Sequence, residues 1–156
     1  MRDNDYVKRM LRTDITFVFN YNNNKWYVSL KDIVSALTDV KNPSTYWAHL
    51  KERYNKKGIE LDLKVRELRM YSPDKRIRKR KVLSLDDAIS LIKILNTKRS
   101  KRLIENLNKV KPELELRENT ALLSKIIKNY QKQKYQMHEI KEIINEYIAN
   151  LVIIKK

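Results

Sequence analysis

Residues 26 to 53 read WYVSLKDIVSALTDVKNPSTYWAHLKER, and this one stretch holds a strand end, a capped helix, a turn and a second capped helix. Trp26, Tyr27 and Val28 close a β-like run. Ser29 stands three residues before Asp32, the spacing of an N-cap and its reciprocal acidic partner, so a helix is predicted to begin at Leu30. Leu30, Ile33, Val34 and Leu37 recur at helical spacing and form its apolar stripe. Asn42 followed by Pro43 repeats the start signal, an N-cap with proline in the first turn. Tyr46, Trp47, Leu50 and Tyr54 define the buried side of this second helix, and Gly58, the single glycine of the chain, ends it.

Beyond Gly58 the period shortens. Leu61, Leu63 and Val65 alternate with Asp62, Lys64 and Arg66, and Ser72-Pro73-Asp74-Lys75 has turn chemistry. Strands over 61 to 71 and 76 to 83, joined as a hairpin, are predicted, with Arg76, Arg78 and Arg80 projecting from one face. Upstream, the weak alternation from Ile15 to Phe19 and the run Asn22-Asn23-Asn24-Lys25 before Trp26 predict a first hairpin, with asparagine accepting the left-handed turn conformations. Ser84 and Asp87 repeat the capping-box spacing ahead of a third helix whose inward face is Leu85, Ala88, Ile89, Ile92 and Leu95, closed by Asn96-Thr97. A fourth helix carries Lys98, Arg99, Lys101 and Arg102 in its first turns, opposite Leu103, Ile104 and Leu107. Trp26 and Trp47 sit in phase with apolar neighbours and are read as core, not as base-stacking platforms. Two small antiparallel hairpins packed with about four helices make the fold class α+β.

The combination of Asp32-Ile33-Val34, Leu37-Thr38, Lys41-Asn42-Pro43, Tyr46-Trp47 and Leu50-Lys51-x-Arg53 resembles the N-terminal domain of the Bro family, found in prophage antirepressors and in proteins of large DNA viruses. The bacterial branch is the nearer one. The resemblance continues more loosely through Gly58, Glu60 and Leu61, the 63 to 83 region and the helical run 85 to 103, about two-thirds of the chain. It implies DNA binding by a phage, prophage or viral regulator, with no catalytic residues to carry over.

Charge supports a polyanionic partner independently. The chain of 156 residues has a formal charge of +16. Residues 1 to 110 hold 26 Lys and Arg against 13 Asp and Glu, whereas 111 to 156 hold 9 against 6, so the excess belongs to the first part. Its density peaks where Lys64, Arg66, Arg69, Lys75, Arg76, Arg78, Lys79, Arg80 and Lys81 face only Glu67 and Asp74. Such a run repels itself unless a polyanion neutralises it; the competing reading is a solvated hairpin, but nine cations against two acids in eighteen residues is more than solubility requires. Cations in the first turn of the fourth helix oppose the helix dipole, and phosphate contact would explain Lys98, Arg99, Lys101 and Arg102 there. If the second helix reads bases, Ser44, Thr45, Ala48 and Lys51 lie on its more polar side and the hairpin holds the backbone; the reverse assignment fits equally well.

After Pro112 the pattern becomes a heptad seam. Leu123, Ile126, Tyr130, Gln133, Met137, Ile140, Ile144, Tyr147, Leu151 and Ile154 follow a three-four spacing without proline or glycine. This predicts a long helix pairing with another helix, most simply in a homodimer. Ile127, Ile143, Ile148 and Val152 broaden the stripe, so the competing readings are a helix folded back on its own domain or two helices breaking near 131 to 136. Leu114 and Leu116 are assigned to a connector that packs on the globular part. The expected division is therefore a basic Bro-N-like domain over 1 to 110 and a helical dimerisation or interaction segment over 111 to 156.

The absence of cysteine excludes disulfides, zinc fingers and thiol catalysis as primary explanations. No apolar run approaches the length of a bilayer span and the start of the chain has no apolar signal core, so an intracellular protein without membrane contact is expected. There is no glycine-rich phosphate loop, and His49 and His138 lack a nearby carboxylate constellation, so neither enzyme nor cofactor is expected. The faint nuclease pattern of Asp74 with Glu139 and Lys141 falls on a turn and on the seam helix, where it should not converge on one ion. Three functions remain in order: a double-stranded DNA-binding regulator, an antirepressor that inactivates a repressor protein by contact, and an RNA binder, for which no exposed aromatic series is evident.

Overall fold

The computed structural model describes residues 3–71 and 74–155. Five helices and four strands follow in the order α1 (Asp3–Leu11), β1 (Phe17–Asn20), β2 (Lys25–Ser29), α2 (Leu30–Leu37), α3 (Pro43–Lys56), β3 (Arg66–Tyr71), β4 (Ile77–Ser84), α4 (Leu85–Leu95) and α5 (Lys98–Lys155). The fold is α+β, and the two hairpins do not form separate small sheets. β2 pairs with β4 through Tyr27↔Ser84, Val28↔Leu83 and Ser29↔Val82, joining them into one antiparallel sheet of order β1-β2-β4-β3. Three pairs suffice because Val28, Ser29, Val82 and Leu83 are fully buried, so an unmade ladder there would leave backbone groups without water.

All three predicted caps are present, but in the two capping boxes no return bond from the acid to the serine N–H is seen among the described residues. The Ser29 Oγ accepts from the Asp32 backbone N–H at 3.4 Å and the Ser84 Oγ from that of Asp87 at 3.3 Å. The Ser29 N–H is already donated to the Thr16 carbonyl, which frees the Asp32 carboxylate for tertiary ties. One of its oxygens accepts from the Thr16 N–H at 3.0 Å and the other from the Arg80 guanidinium at 2.8 Å. The Asp87 carboxylate likewise accepts from the Lys64 N–H at 3.2 Å, fastening the segment before β3 to α4. Each cap serine is also the last residue of a strand, so strand and helix meet with no loop between them.

Several boundaries differ from the predicted ones. β3 begins at Arg66, not at 61: Leu61, Leu63 and Val65 are half-buried between exposed Asp62 and Lys64 but have no ladder partner, so burial alone produces their alternation. The Ser72 and Pro73 half of the predicted turn lies outside the described residues. α1 has no counterpart among the predicted elements; it buries Val7 and Leu11. Asn24, Asn96 and Gly58 take the left-handed conformation, as their turn and helix-end positions require. Trp26 and Trp47 are 2% and 5% exposed and belong to the core.

The largest correction is α5. The predicted fourth helix, connector and seam helix are one continuous helix with Pro112 inside it. Interior proline costs about 3 kcal/mol through its missing N–H and its clash with the preceding turn. Leu103, Leu107, Val110 and Leu114 are buried on both sides of that position, and the Trp26 indole N–H donates to the Leu114 carbonyl at 3.1 Å. This packing offsets the local penalty. Leu116, by contrast, is exposed. The chain divides into a compact unit Met1–Leu116 and a second unit Arg117–Lys156, six residues later than the sequence suggests.

Candidate nucleic-acid interface

The β3–β4 register sorts the basic run into two faces. Arg66↔Val82, Leu68↔Arg80 and Met70↔Arg78 share one side, while Glu67↔Lys81 and Arg69↔Lys79 share the other. On the first side Leu68 and Met70 pack with Val18, Tyr27 and Val82 as a small apolar cluster. The arginines on that side are already engaged. The Arg80 guanidinium meets the Asp32 carboxylate with side chains only 17% and 21% exposed. Arg78 pairs with Asp74 at 2.7 Å in a more open setting, and the Arg66 guanidinium lies 5.9 Å from the centre of the Tyr27 ring. Arg76 falls in the turn before β4, its N–H donated to the Asp74 carboxylate, so the three arginines do not line up as one row.

The second side carries the uncommitted charge. Arg69 and Lys79 stand directly opposite each other across the ladder, both exposed, and neither makes an ion pair among the described residues. Like charges at such positions, with Cβ atoms about 5 Å apart, destabilise a sheet by up to ~1 kcal/mol. Ile77, on the same side, is 59% exposed. Lys64, Lys75 and Arg76 are also exposed, at or before the ends of the hairpin.

An open hollow of about 690 Å³ lies where β4 passes the first turns of α2 and α3. Lys31, Ser44, Arg78, Lys79, Arg80 and Lys81 line it, with Asp32 and Asp74 as its acids and Trp47 in its wall. Of the predicted residues it gathers Ser44, Arg78, Lys79 and Arg80. Thr45, Lys51, Lys64, Arg66, Arg69, Lys75, Arg76 and the α5 cations do not line it. Lys31 escaped the sequence reading, although a lysine in the first turn of a helix is the same signal that drew attention to Lys98. Thr45 gives its backbone N–H to the Asn42 cap, and Lys51 lies 5.5 Å from the centre of the Trp47 ring.

The cations opening α5 divide in the same way. Arg99 donates to the Ala36 carbonyl at 2.9 Å and to the Asp39 carboxylate at 2.6 Å, so it serves the C-terminal end of α2, where a cation is favourable. This gives Arg99 a structural reason that phosphate contact is not needed to supply. Lys98, Lys101 and Arg102 are exposed and make no ion pair among the described residues.

In the second unit Leu123, Ile126, Tyr130, Met137, Ile140, Ile144, Tyr147 and Leu151 are all exposed, from 40% to 64%. α5 does not break at 131 to 136. The side chains of Val152 and Ile154 lie outside the described residues. Among the described residues no helix is long and apolar enough to cross a membrane, and no three of His, Asp and Glu gather where they could hold a metal ion. No family model, curated protein or solved structure matches the chain.

Proposed function

We propose that this chain is a double-stranded DNA-binding regulator of phage, prophage or viral type, related to the Bro N-terminal domains, acting inside the host cell as a dimer through α5. The observation that carries the reading is the exposed juxtaposition of Arg69 with Lys79, two cations set across one ladder, neither of them in an ion pair among the described residues. A polyanion that bridged them would convert a repulsion into two phosphate contacts. Lys31, Lys79 and Lys81 around the hollow, with Ser44 beside them, extend the same surface toward α3. The hairpin therefore takes the backbone contacts and the first turn of α3 is the element left to approach bases.

Fluorescence anisotropy of a labelled AT-rich duplex over a salt series tests this. Binding should be tight at low salt, with log affinity falling steeply against log salt. The double variant Arg69→Glu and Lys79→Glu should weaken binding and reduce that slope by about two, one for each phosphate that is no longer neutralised. Arg80 is left intact so that folding is not confounded with binding. No binding by the unaltered protein at low salt would overturn the reading and make a repressor protein the leading target.

A further inference from the structure

With Leu123 at heptad position a, Tyr130, Met137, Ile144 and Leu151 follow at a, and Ile126, Gln133, Ile140 and Tyr147 stand at d. The residues flanking this exposed seam discriminate what can cover it. Positions g hold Leu122, Asn129, Gln136 and Ile143; positions e hold Ile127, Lys134, Lys141 and Ile148. Parallel, in-register pairing with a second copy sets each g residue beside the following e residue of the other chain. Leu122 then meets Ile127, Asn129 meets Lys134, Gln136 meets Lys141 and Ile143 meets Ile148. Apolar faces apolar, and each amide carbonyl faces an ammonium donor. Gln133 meets its own counterpart, amide to amide, where each can satisfy the other.

Antiparallel pairing over the same span keeps Ile127 against Ile148 and sets Asn129 against Asn150, but it breaks the matches made by the lysines and by the two glutamines. Position e then faces e, placing Lys134 against Lys141 twice; Gln136 faces Ile143, and the Gln133 amide is pressed on Ile144 with no partner. The outer charges, Lys125, Lys128 and Lys132 early and Glu139, Glu142 and Glu146 late, would favour the antiparallel order. They occupy positions c and f, away from the seam, where salt screens them within about 10 Å.

We infer that the partner covering residues 123 to 151 is a second copy of this chain, parallel and in register, with Gln133 specifying that register. The inference rests on the reading of α5 as a self-pairing helix. A foreign helix would have to reproduce the graded order of apolar, amide, ammonium and apolar flanks; a second copy carries it by construction. Parallel pairing also brings the two Arg117 ends together, whereas antiparallel pairing would separate them by roughly 60 Å along the seam axis. Two basic units entering from one end can share a single DNA segment.

The chain contains no cysteine, so introduced ones report orientation without interference. Full-length Ile126→Cys carrying a tag and untagged Leu151→Cys are prepared, oxidised with glutathione disulfide separately and as a mixture, and read on non-reducing gels, with molar mass measured by light scattering. Each variant alone should form a disulfide-linked dimer, and the mixture should contain no tagged–untagged species. Cross-linking only between the two variants would establish the antiparallel order and overturn the inference while leaving the dimer standing. A two-chain mass with no cross-link at either position would place the interface elsewhere and overturn it too. A single-chain mass would sink both the inference and the self-pairing reading beneath it. None of these readouts involves DNA, so they are independent of the nucleic-acid assay.

Discussion

Lys79 and Arg80 are adjacent on β4 and have opposite duties. The Arg80 guanidinium is held by an Asp32 carboxylate that also accepts the Thr16 N–H, so one carboxylate ties α2 to β4 and to the start of β1. Truncating Arg80 leaves that half-buried carboxylate short of its charged donor. Arg80→Ala is expected to cost about 2 kcal/mol, the scale of a charge-assisted hydrogen bond, measured by urea unfolding. Lys79 makes no ion pair among the described residues, and Lys79→Ala should leave stability within about 0.5 kcal/mol. Its effect should appear instead in duplex anisotropy, as weaker binding with a salt slope reduced by about one. If Lys79→Ala unfolded the protein and Arg80→Ala did not, the division between structural and free cations would be wrong. In sequence the two residues are indistinguishable members of one basic run, because the partner that separates them lies 48 positions away.

Among the elements, the local signals were the legible ones. Ser29, Asn42, Ser84 and Pro43 announce helix starts because a cap needs only a side-chain oxygen and the next three residues, all written consecutively. What each capping acid does was not legible, since Asp32 and Asp87 reach segments distant in the chain. Ser29 is fully buried, so its cap has no water to replace it. Ser29→Ala should cost about 1–2 kcal/mol in urea unfolding. A cost near zero would mean that α2 is held by packing alone. Gly58 offers a second check. Its φ of +72° is unfavourable for any side chain, although a Cβ there would meet no atom within 4 Å. Gly58→Ala should therefore cost about 1 kcal/mol through backbone conformation and not through a clash. Pro112 shows where a local rule misleads: read alone it ends a helix, and only the burial of Val110 and Leu114 around it makes continuation favourable.

For the molecule as a whole, the proposed division of labour joins a basic unit to a pairing helix, and the two should be separable. Ile140 and Ile144 are 49% and 50% exposed, so replacing them with lysine removes no packing within the chain. Ile140→Lys with Ile144→Lys should give a single-chain mass by light scattering. Apparent affinity for duplex DNA should fall by on the order of 100-fold, because one linked binding event is removed, while the fold of the first unit persists. Unchanged affinity in a proven monomer would show that one basic unit suffices for binding. Retained two-chain mass would show that the seam is not what joins the copies.

Read as a bare string of residues, the chain already specifies the α+β class, the caps, the glycine and asparagine turns, the two tryptophans in the core and the heptad seam. Each of these depends on residues within about one or two helical turns or on the period of burial, and neighbours in the chain carry that information. Packing in three dimensions was needed to establish that the hairpins share one sheet, that α5 runs through Pro112, and which cations are left exposed without an ion-pair partner. Arg80 and Arg99 are neutralised by acids 48 and 60 residues away, and Arg69 is set against Lys79 by strand register. Charge is written in the sequence, but its neutralisation is a property of distance, and distance between remote residues exists only once the sheet and helices have packed.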